Sequence, residues 1–324
     1  MTPDLRDTLV VAISTTALFD LAEAERIFVE EGMAAYRAHT RATEDEPLQP
    51  GTGMPLVRAL LSLNAHVRPG DPPLAEVIVL SRNAVETGVR ALNAVRGLGL
   101  PITRYGFTGG EALDPYLRAF GVDLFLSRNE ADVQAVIDAG GCAAALLYAP
   151  PAGEAPPTDQ LRIAFDADAV LFHEASEVVF KTEGLDAFYA AEDAARDLPM
   201  AEGPHAAFLK KLARLQERLP DRIEYNPVRL AIVTARSAPA ELRVIRTLRQ
   251  WGVYVDATFF LGGLAKDAIL AAFRPHIYFD DQDHHLASAS RSVPSGRVPY
   301  RSDSPLSAGG SVPRAAISRS PADK

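Results

Sequence analysis

The stretch Leu161-Arg162-Ile163-Ala164-Phe165-Asp166-Ala167-Asp168-Ala169-Val170 decides the fold. Residues 161–165 form a short apolar run that reads as a buried strand, and two carboxylates follow it two residues apart. In extended chain, residues i and i+2 point the same way, so Asp166 and Asp168 would face one crevice. The carboxyl end of a strand in an open α/β sheet is where such proteins bind ligands. Two acids this close repel each other unless a cation or a proton intervenes. Mg²⁺ meets that need, because it takes hard oxygen ligands and keeps positions open for water and phosphate. The spacing alone is weak, since Asp-x-Asp is also common in turns.

Outward from this stretch, further apolar runs at 9–13, 77–80, 124–126, 143–147, 230–233 and 277–279 read as strands. Helical patterns lie between them, as at 240–251, where Leu242, Val244, Ile245 and Leu248 recur on one face. Strands alternating with helices predict an α/β protein with a largely parallel sheet. Blocks also recur along the chain. Phe28-Val29-Glu30-Glu31-Gly32 matches Phe180-Lys181-Thr182-Glu183-Gly184 at an offset of 152 residues (184 − 32), and Gly109-Gly110 matches Gly262-Gly263 at about the same offset. The expected organisation is two tandem α/β halves, 1–150 and 158–300, joined through the Pro-rich residues 149–157, with a Ser/Pro-rich disordered tail at 301–324. Residues 173–226 separate the first two motifs by more than a loop and predict a helical cap that excludes water. Phe188 or Tyr189 in that cap could stack on a base, although core packing is the more usual role for any single aromatic there.

The 324 residues are 48% hydrophobic and carry one cysteine, Cys142, so no internal disulfide forms. No apolar run approaches the roughly 20 residues that span a bilayer. The N-terminus, Met1-Thr2-Pro3-Asp4-Leu5-Arg6-Asp7, lacks the basic start and apolar stretch of a signal peptide, and a cytoplasmic protein is expected. A net charge of −9 argues against a nucleic-acid polymer as partner. A homo-oligomer is compatible with the chain.

Three elements accompany the two aspartates. Thr234, with Ala235 and Arg236, ends a strand just before a helix start and suits phosphate, or is a plain helix cap. Lys266 follows Gly262-Gly263 at another helix start, where a lysine is more usually solvated. Asp280-Asp281 follows the apolar residues 277–279, where adjacent acids are often surface charge. His284-His285 could suggest a transition metal, but adjacent histidines rarely share one ion.

The ordered set resembles the haloacid-dehalogenase-like phosphatase superfamily, which has four motifs in this order. The phrases Ile163-Ala164-Phe165-Asp166-Ala167-Asp168-Ala169-Val170-Leu171-Phe172, Val233-Thr234-Ala235-Arg236-Ser237-Ala238-Pro239, Phe260-Leu261-Gly262-Gly263 and Phe279-Asp280-Asp281-Gln282 are similar to the cytosolic 5′-nucleotidase I family. Thr108-Gly109-Gly110-Glu111 and Val298-Pro299-Tyr300 extend the likeness over about residues 8–300. One departure is Ala167, where glycine is common in the family. The resemblance implies two Rossmann-like halves of that superfamily's type and Mg²⁺-dependent hydrolysis of a nucleoside 5′-monophosphate, AMP first. It implies that Asp166 is the nucleophile and that Asp168 is the general acid and base and a metal ligand through its backbone carbonyl. Thr234 would bind the phosphoryl group with Ala235 and Arg236 beside it, Lys266 would neutralise charge, and Asp280 and Asp281 would serve the metal. A phosphatase of another small phosphomonoester and a non-catalytic nucleotide sensor are the competing readings.

The same offset gives an internal control. Ser14 and Thr16 stand opposite Asp166 and Asp168, Ser81 opposite Thr234, Leu113 opposite Lys266, and Ser127-Arg128 opposite Asp280-Asp281. The first half therefore reads as a degenerate, non-catalytic copy whose remaining role is packing, nucleoside binding or effector binding. Arg82, Asn83 and the Thr108-Gly109-Gly110 loop are its candidate contacts.

Overall fold

The described residues form ten strands, seven of which carry the expected apolar runs, and the inner ones are buried on both faces. In β1 (Leu9–Ile13) all five residues are buried, and in β6 (Leu161–Phe165) all but Arg162 are. A strand buried on both sides has no polar face, so its sequence runs apolar without alternating. The remaining strands are β2 (Ala75–Ser81), β3 (Arg104–Phe107), β4 (Leu124–Ser127), β5 (Ala143–Leu147), β7 (Val228–Thr234), β8 (Ala257–Phe260), β9 (Ile277–Asp280) and β10 (Ser295–Arg297). The structure is a computed structural model, and it describes residues 5–219 and 225–307.

All ten strands join one sheet in the order β3-β2-β1-β4-β5-β10-β9-β6-β7-β8. The first five pair in parallel, and so do the last five. Each block has the same internal order, with its first strand in the middle and its fifth at the inner edge. The inner edges meet antiparallel, Gly296 opposite Leu147 and Arg297 opposite Leu146. The two halves thus share one largely parallel sheet and run in opposite directions within it. The carboxyl ends of their strands therefore point in opposite directions. Ser127, Leu146, Arg297 and Asp280 form one row across the seam. At strand spacing, Ser127 and Asp280 stand about 14 Å apart.

Helices lock the seam from both sides. The Met54–Ser62 helix of the first half packs on β6, and the Ala206–Glu217 helix of the second packs on β1. The latter buries Phe208, Leu209, Leu212 and Leu215, and its Lys211 bonds Asp123 of the first half at 3.0 Å. The span 173–226 is thus not all cap. Only the helices Ala175–Glu183 and Leu185–Ala194 stand over the second-half crevice, while Ala206–Glu217 belongs to the core; 220–224 lie outside the described residues. A similar helix pair stands in the first half, where the Ala22–Ala42 helix breaks at Gly32 (φ +86°), as the second-half pair breaks at Gly184 (φ +90°). Both breaks use left-handed backbone that glycine alone adopts without strain.

Residues 301–307, assigned to the tail on composition, are packed. Ser302 bonds Asp138, and Ser304 is buried with its hydroxyl on Glu174 at 2.7 Å. The rest of the expected tail, 308–324, lies outside the described residues. Burial pushes the Cys142 thiol up to about 12, so it stays protonated and inert at neutral pH.

Phe208 ties the two layers together, edge-on to Phe165 at 6.1 Å and to Phe279 at 6.3 Å. Phe208→Ala is expected to lower unfolding free energy by about 3–5 kcal/mol, read by denaturant titration; a loss under about 1 kcal/mol would show that this contact does not hold the helix to the sheet.

Candidate active site

Three strand ends and one helix start deliver the charged groups. Asp166 follows β6, which pairs with β9 through Phe165 and Phe279, and its backbone N–H donates to Phe279 O at 2.7 Å. Asp280 ends β9, and Lys266 precedes the Asp267–Phe273 helix. The sheet thus brings together residues more than a hundred positions apart. The Lys266 ammonium sits 3.0 Å from Asp166 Oδ1 and 2.8 Å from Asp280 Oδ2, with the Tyr278 hydroxyl at 2.9 Å. Lys266, Asp166 and Asp280 are all buried. Of the two readings of Lys266, a solvated lysine and the charge-neutralising one that the family resemblance implies, the buried ammonium between two carboxylates matches the second in position.

Burial sets the electrostatics. It drives the Asp166 carboxyl up to about 7, opposed by Lys266 and reinforced by repulsion from Asp280 and Asp168. Burial opposes ionisation of Lys266 too, but Asp166 and Asp280 outweigh it and hold the ammonium at about 12. Asp280 is held low against its own burial by Lys266 and by His285, whose Nδ1 lies 3.2 Å from Oδ2. Asp281 is driven well up by burial and by Asp280 and Asp166; Tyr300 donates to its Oδ2. Its Oδ1 is buried without a hydrogen-bond partner. One ammonium thus faces three buried acid groups, of which only Asp280 is held low while Asp166 and Asp281 are pushed towards their protonated forms.

Asp168 is held differently. Both its oxygens accept from Arg236, at 2.7 Å from Nε and 2.6 Å from Nη2. Arg236 also donates from Nη1 to Glu192 at 2.5 Å, and Glu192 takes further bonds from Ser176 at 2.7 Å and Arg243 at 2.9 Å. Arg236, expected to face phosphate, is buried between Asp168 and the cap helix. Phe188, a candidate for stacking on a base or for core packing, is buried with the Arg236 guanidinium 5.1 Å over its ring. Tyr189 bonds the Ser237 hydroxyl at 2.7 Å. Thr234 is buried at the end of β7, where Oγ1 accepts from Arg236 N at 3.3 Å; exposed Ala235 gives its carbonyl to Gly263 N at 3.1 Å.

Glu192, Tyr278, His285 and Tyr300 are the groups that motif reading missed as partners. Tyr278 had a signal in its place two residues before Asp280, on the same face of the strand. Glu192 had none, being one acid among several on an amphipathic helix.

Ligand atoms of Asp166, Asp280 and His285 lie within 4.8 Å of one another, a span one cation can bridge. The adjacent His284 is not part of this group. The carboxylate-rich donors and the unmet Asp281 Oδ1 suit a hard divalent cation.

Among known proteins, the 5′-nucleotidase family matches this chain over residues 1–305. The human protein named cytosolic 5′-nucleotidase 1B is 36% identical over 295 residues, which are 89% of this chain and 48% of the human one. The chain thus spans about half the length of that relative. A solved structure titled as a Pnkp1/Rnl/Hen1 complex aligns over 91% of this chain and 97% of its own at 13% identity, with a TM-score of 0.32. No helix among the described residues is long and apolar enough to cross a membrane.

Removing one member of a buried ionic cluster leaves its partner's charge uncompensated. Glu192→Ala is therefore expected to lower unfolding free energy by about 3 kcal/mol, measured by denaturant titration at neutral pH; a change within about 0.5 kcal/mol would mean that Asp168 alone satisfies Arg236.

Proposed function

The chain belongs to the 5′-nucleotidase family, and from that premise we propose that it hydrolyses nucleoside 5′-monophosphates, AMP first, to nucleoside and phosphate with Asp166 as nucleophile. The observation that carries the reading is Lys266 bridging Asp166 and Asp280 at 3.0 and 2.8 Å in a buried crevice. A carboxylate attacks a phosphate dianion only when positive charge screens the approach, and a buried ammonium beside it supplies part of that screen.

Asp166, Asp280 and Asp281 would hold Mg²⁺, with the Asp168 backbone carbonyl as a further oxygen. When bound, the ion would supply positive charge and polarise the phosphoryl oxygens. The protein's own groups do the rest. An Asp166 oxygen attacks phosphorus as the bond to the nucleoside 5′-oxygen breaks, giving an aspartyl-phosphate. Asp168 gives its proton to that leaving oxygen. It then takes a proton from the water that attacks the aspartyl-phosphate phosphorus, which frees phosphate and restores Asp166. Thr234 donates its hydroxyl to an equatorial oxygen, and Lys266 balances the charge that collects there.

Arg236 bears on this sequence, because it occupies both Asp168 oxygens. For Asp168 to carry a proton, the guanidinium must release one of them, and Glu192 on Nη1 is the carboxylate that keeps it paired meanwhile. Glu192 lies on the helix pair above the crevice, so closure of that pair over a nucleotide would reach the general acid through Arg236. The proposed setting is the cytoplasm, in keeping with the name of the human relative.

Phosphate release from a panel of nucleoside and sugar monophosphates tests the reading. AMP is expected to be hydrolysed, with activity lost in EDTA and restored by Mg²⁺. Sugar phosphates outpacing every nucleotide would point to another phosphomonoester, and release from none would remove the enzyme reading. Asp166→Asn is expected to cut turnover at least 10³-fold while the chain still folds, checked by circular dichroism, since an oxyanion donor alone is worth about 10²–10³. Ser14→Ala should leave the chemical step intact; an equal loss in both variants would place the chemistry elsewhere.

A further inference from the structure

The first half has a cavity of about 480 Å³ at the carboxyl ends of β1, β2 and β4, where the second half has its charged crevice. That volume lies within the range of small-ligand pockets, roughly 300–1,000 Å³. Ser14, Ser81 and Ser127 line it at the strand ends. The loops around it repeat several backbone bonds of the second half. Ser127 Oγ accepts from Asn129 N at 3.1 Å, as Asp280 Oδ1 accepts from Gln282 N at 2.8 Å. The Asn83 carbonyl accepts from Gly109 N at 3.0 Å, as that of Arg236 accepts from Gly262 N at 3.2 Å.

The aromatic wall repeats as well. Phe28 and Tyr36 stand edge to face at 5.7 Å, and their counterparts Phe180 and Phe188 do so at 6.2 Å. In the first half, Phe28 is 46% exposed and faces the cavity. A large aromatic left half in solvent on a cavity wall has area to gain from a flat ligand.

What differs is charge. Hydroxyls stand opposite Asp166, Asp168 and Asp280, Arg128 stands opposite Asp281, and buried Leu113 stands where Lys266 would be. Arg37 and Arg128 line the cavity and form no ion pair among the described residues, while the acidic Asp132 is already taken by Arg82 at 3.1 Å. Glu25 is the remaining acid on the wall. An anion can enter this cavity without a metal to offset carboxylates.

We infer that the first-half cavity binds a nucleoside 5′-monophosphate without turning it over and without needing a divalent cation. The phosphate meets the strand-end hydroxyls and Arg128, and the base lies against Phe28. No nucleophile stands at Ser14's end of the cavity with a lysine beside it, so the ligand leaves unchanged. The inference rests on the nucleotide reading of the second half only for the choice of ligand.

The test uses the full chain carrying Asp166→Asn, so that added AMP persists, with calorimetric titration in EDTA. One AMP per chain is expected to bind. Phe28→Ala and Arg128→Ala, each added to that background, are expected to weaken this binding at least tenfold, and Phe180→Ala to leave it unchanged. Absence of saturable binding in EDTA would overturn the inference. So would binding that Phe180→Ala weakens while Phe28→Ala and Arg128→Ala do not, because the ligand would then sit in the second half. Phosphate release by the unsubstituted chain reports on the second crevice separately, so either reading can fail alone.

Discussion

One ammonium group organises the charged end of this fold. Lys266 lies out of water between Asp166 and Asp280, and each of the three is tolerable there only because of the others. The arrangement needs β6 beside β9 and a helix beginning at Lys266, and the parallel pairing of Phe165 with Phe279 provides the first. It is incomplete as it stands, since Asp281 adds a further buried acid with an unmet oxygen. That crowding of buried acids is the condition behind the proposed affinity for a divalent cation and a phosphate.

The inner strands were legible because burial on both faces leaves no choice but apolar residues, as in Leu9–Ile13. Asp166, Lys266 and Asp280 were legible because each sits where a strand ends or a helix starts, positions that sequence patterning marks. The pairing of Arg236 with Asp168 and Glu192 was not legible. It depends on the angle at which the Leu185–Ala194 helix lies over the crevice, and no local pattern encodes that angle. The same blindness made Phe188 a candidate for stacking when it lies beneath a guanidinium. The core role of the Ala206–Glu217 helix escaped for a related reason. An amphipathic period tells that a face is buried, not which half buries it.

The two crevices share strand ends, glycine loops and an aromatic pair, and differ in the few side chains that carry charge. Replacing a carboxylate by serine at position 127 keeps the bond that shapes the turn, because a hydroxyl accepts the Asn129 N–H as a carboxylate would. The turn is therefore kept whichever of the two side chains accepts its bond. Arg297 stands between them in the shared row, donating to Asp283 at 3.2 Å on one side and to Glu130 on the other.

The antiparallel seam also governs how this chain meets others. Two separate five-stranded sheets would present four open edges, each a template for pairing with a neighbouring chain. Joining the inner edges removes two of them. The outer two, β3 and β8, are only four residues long, and Arg104 of β3 is tied down to Glu76 of the next strand. A large, very apolar sheet is thereby left with little exposed backbone through which to aggregate.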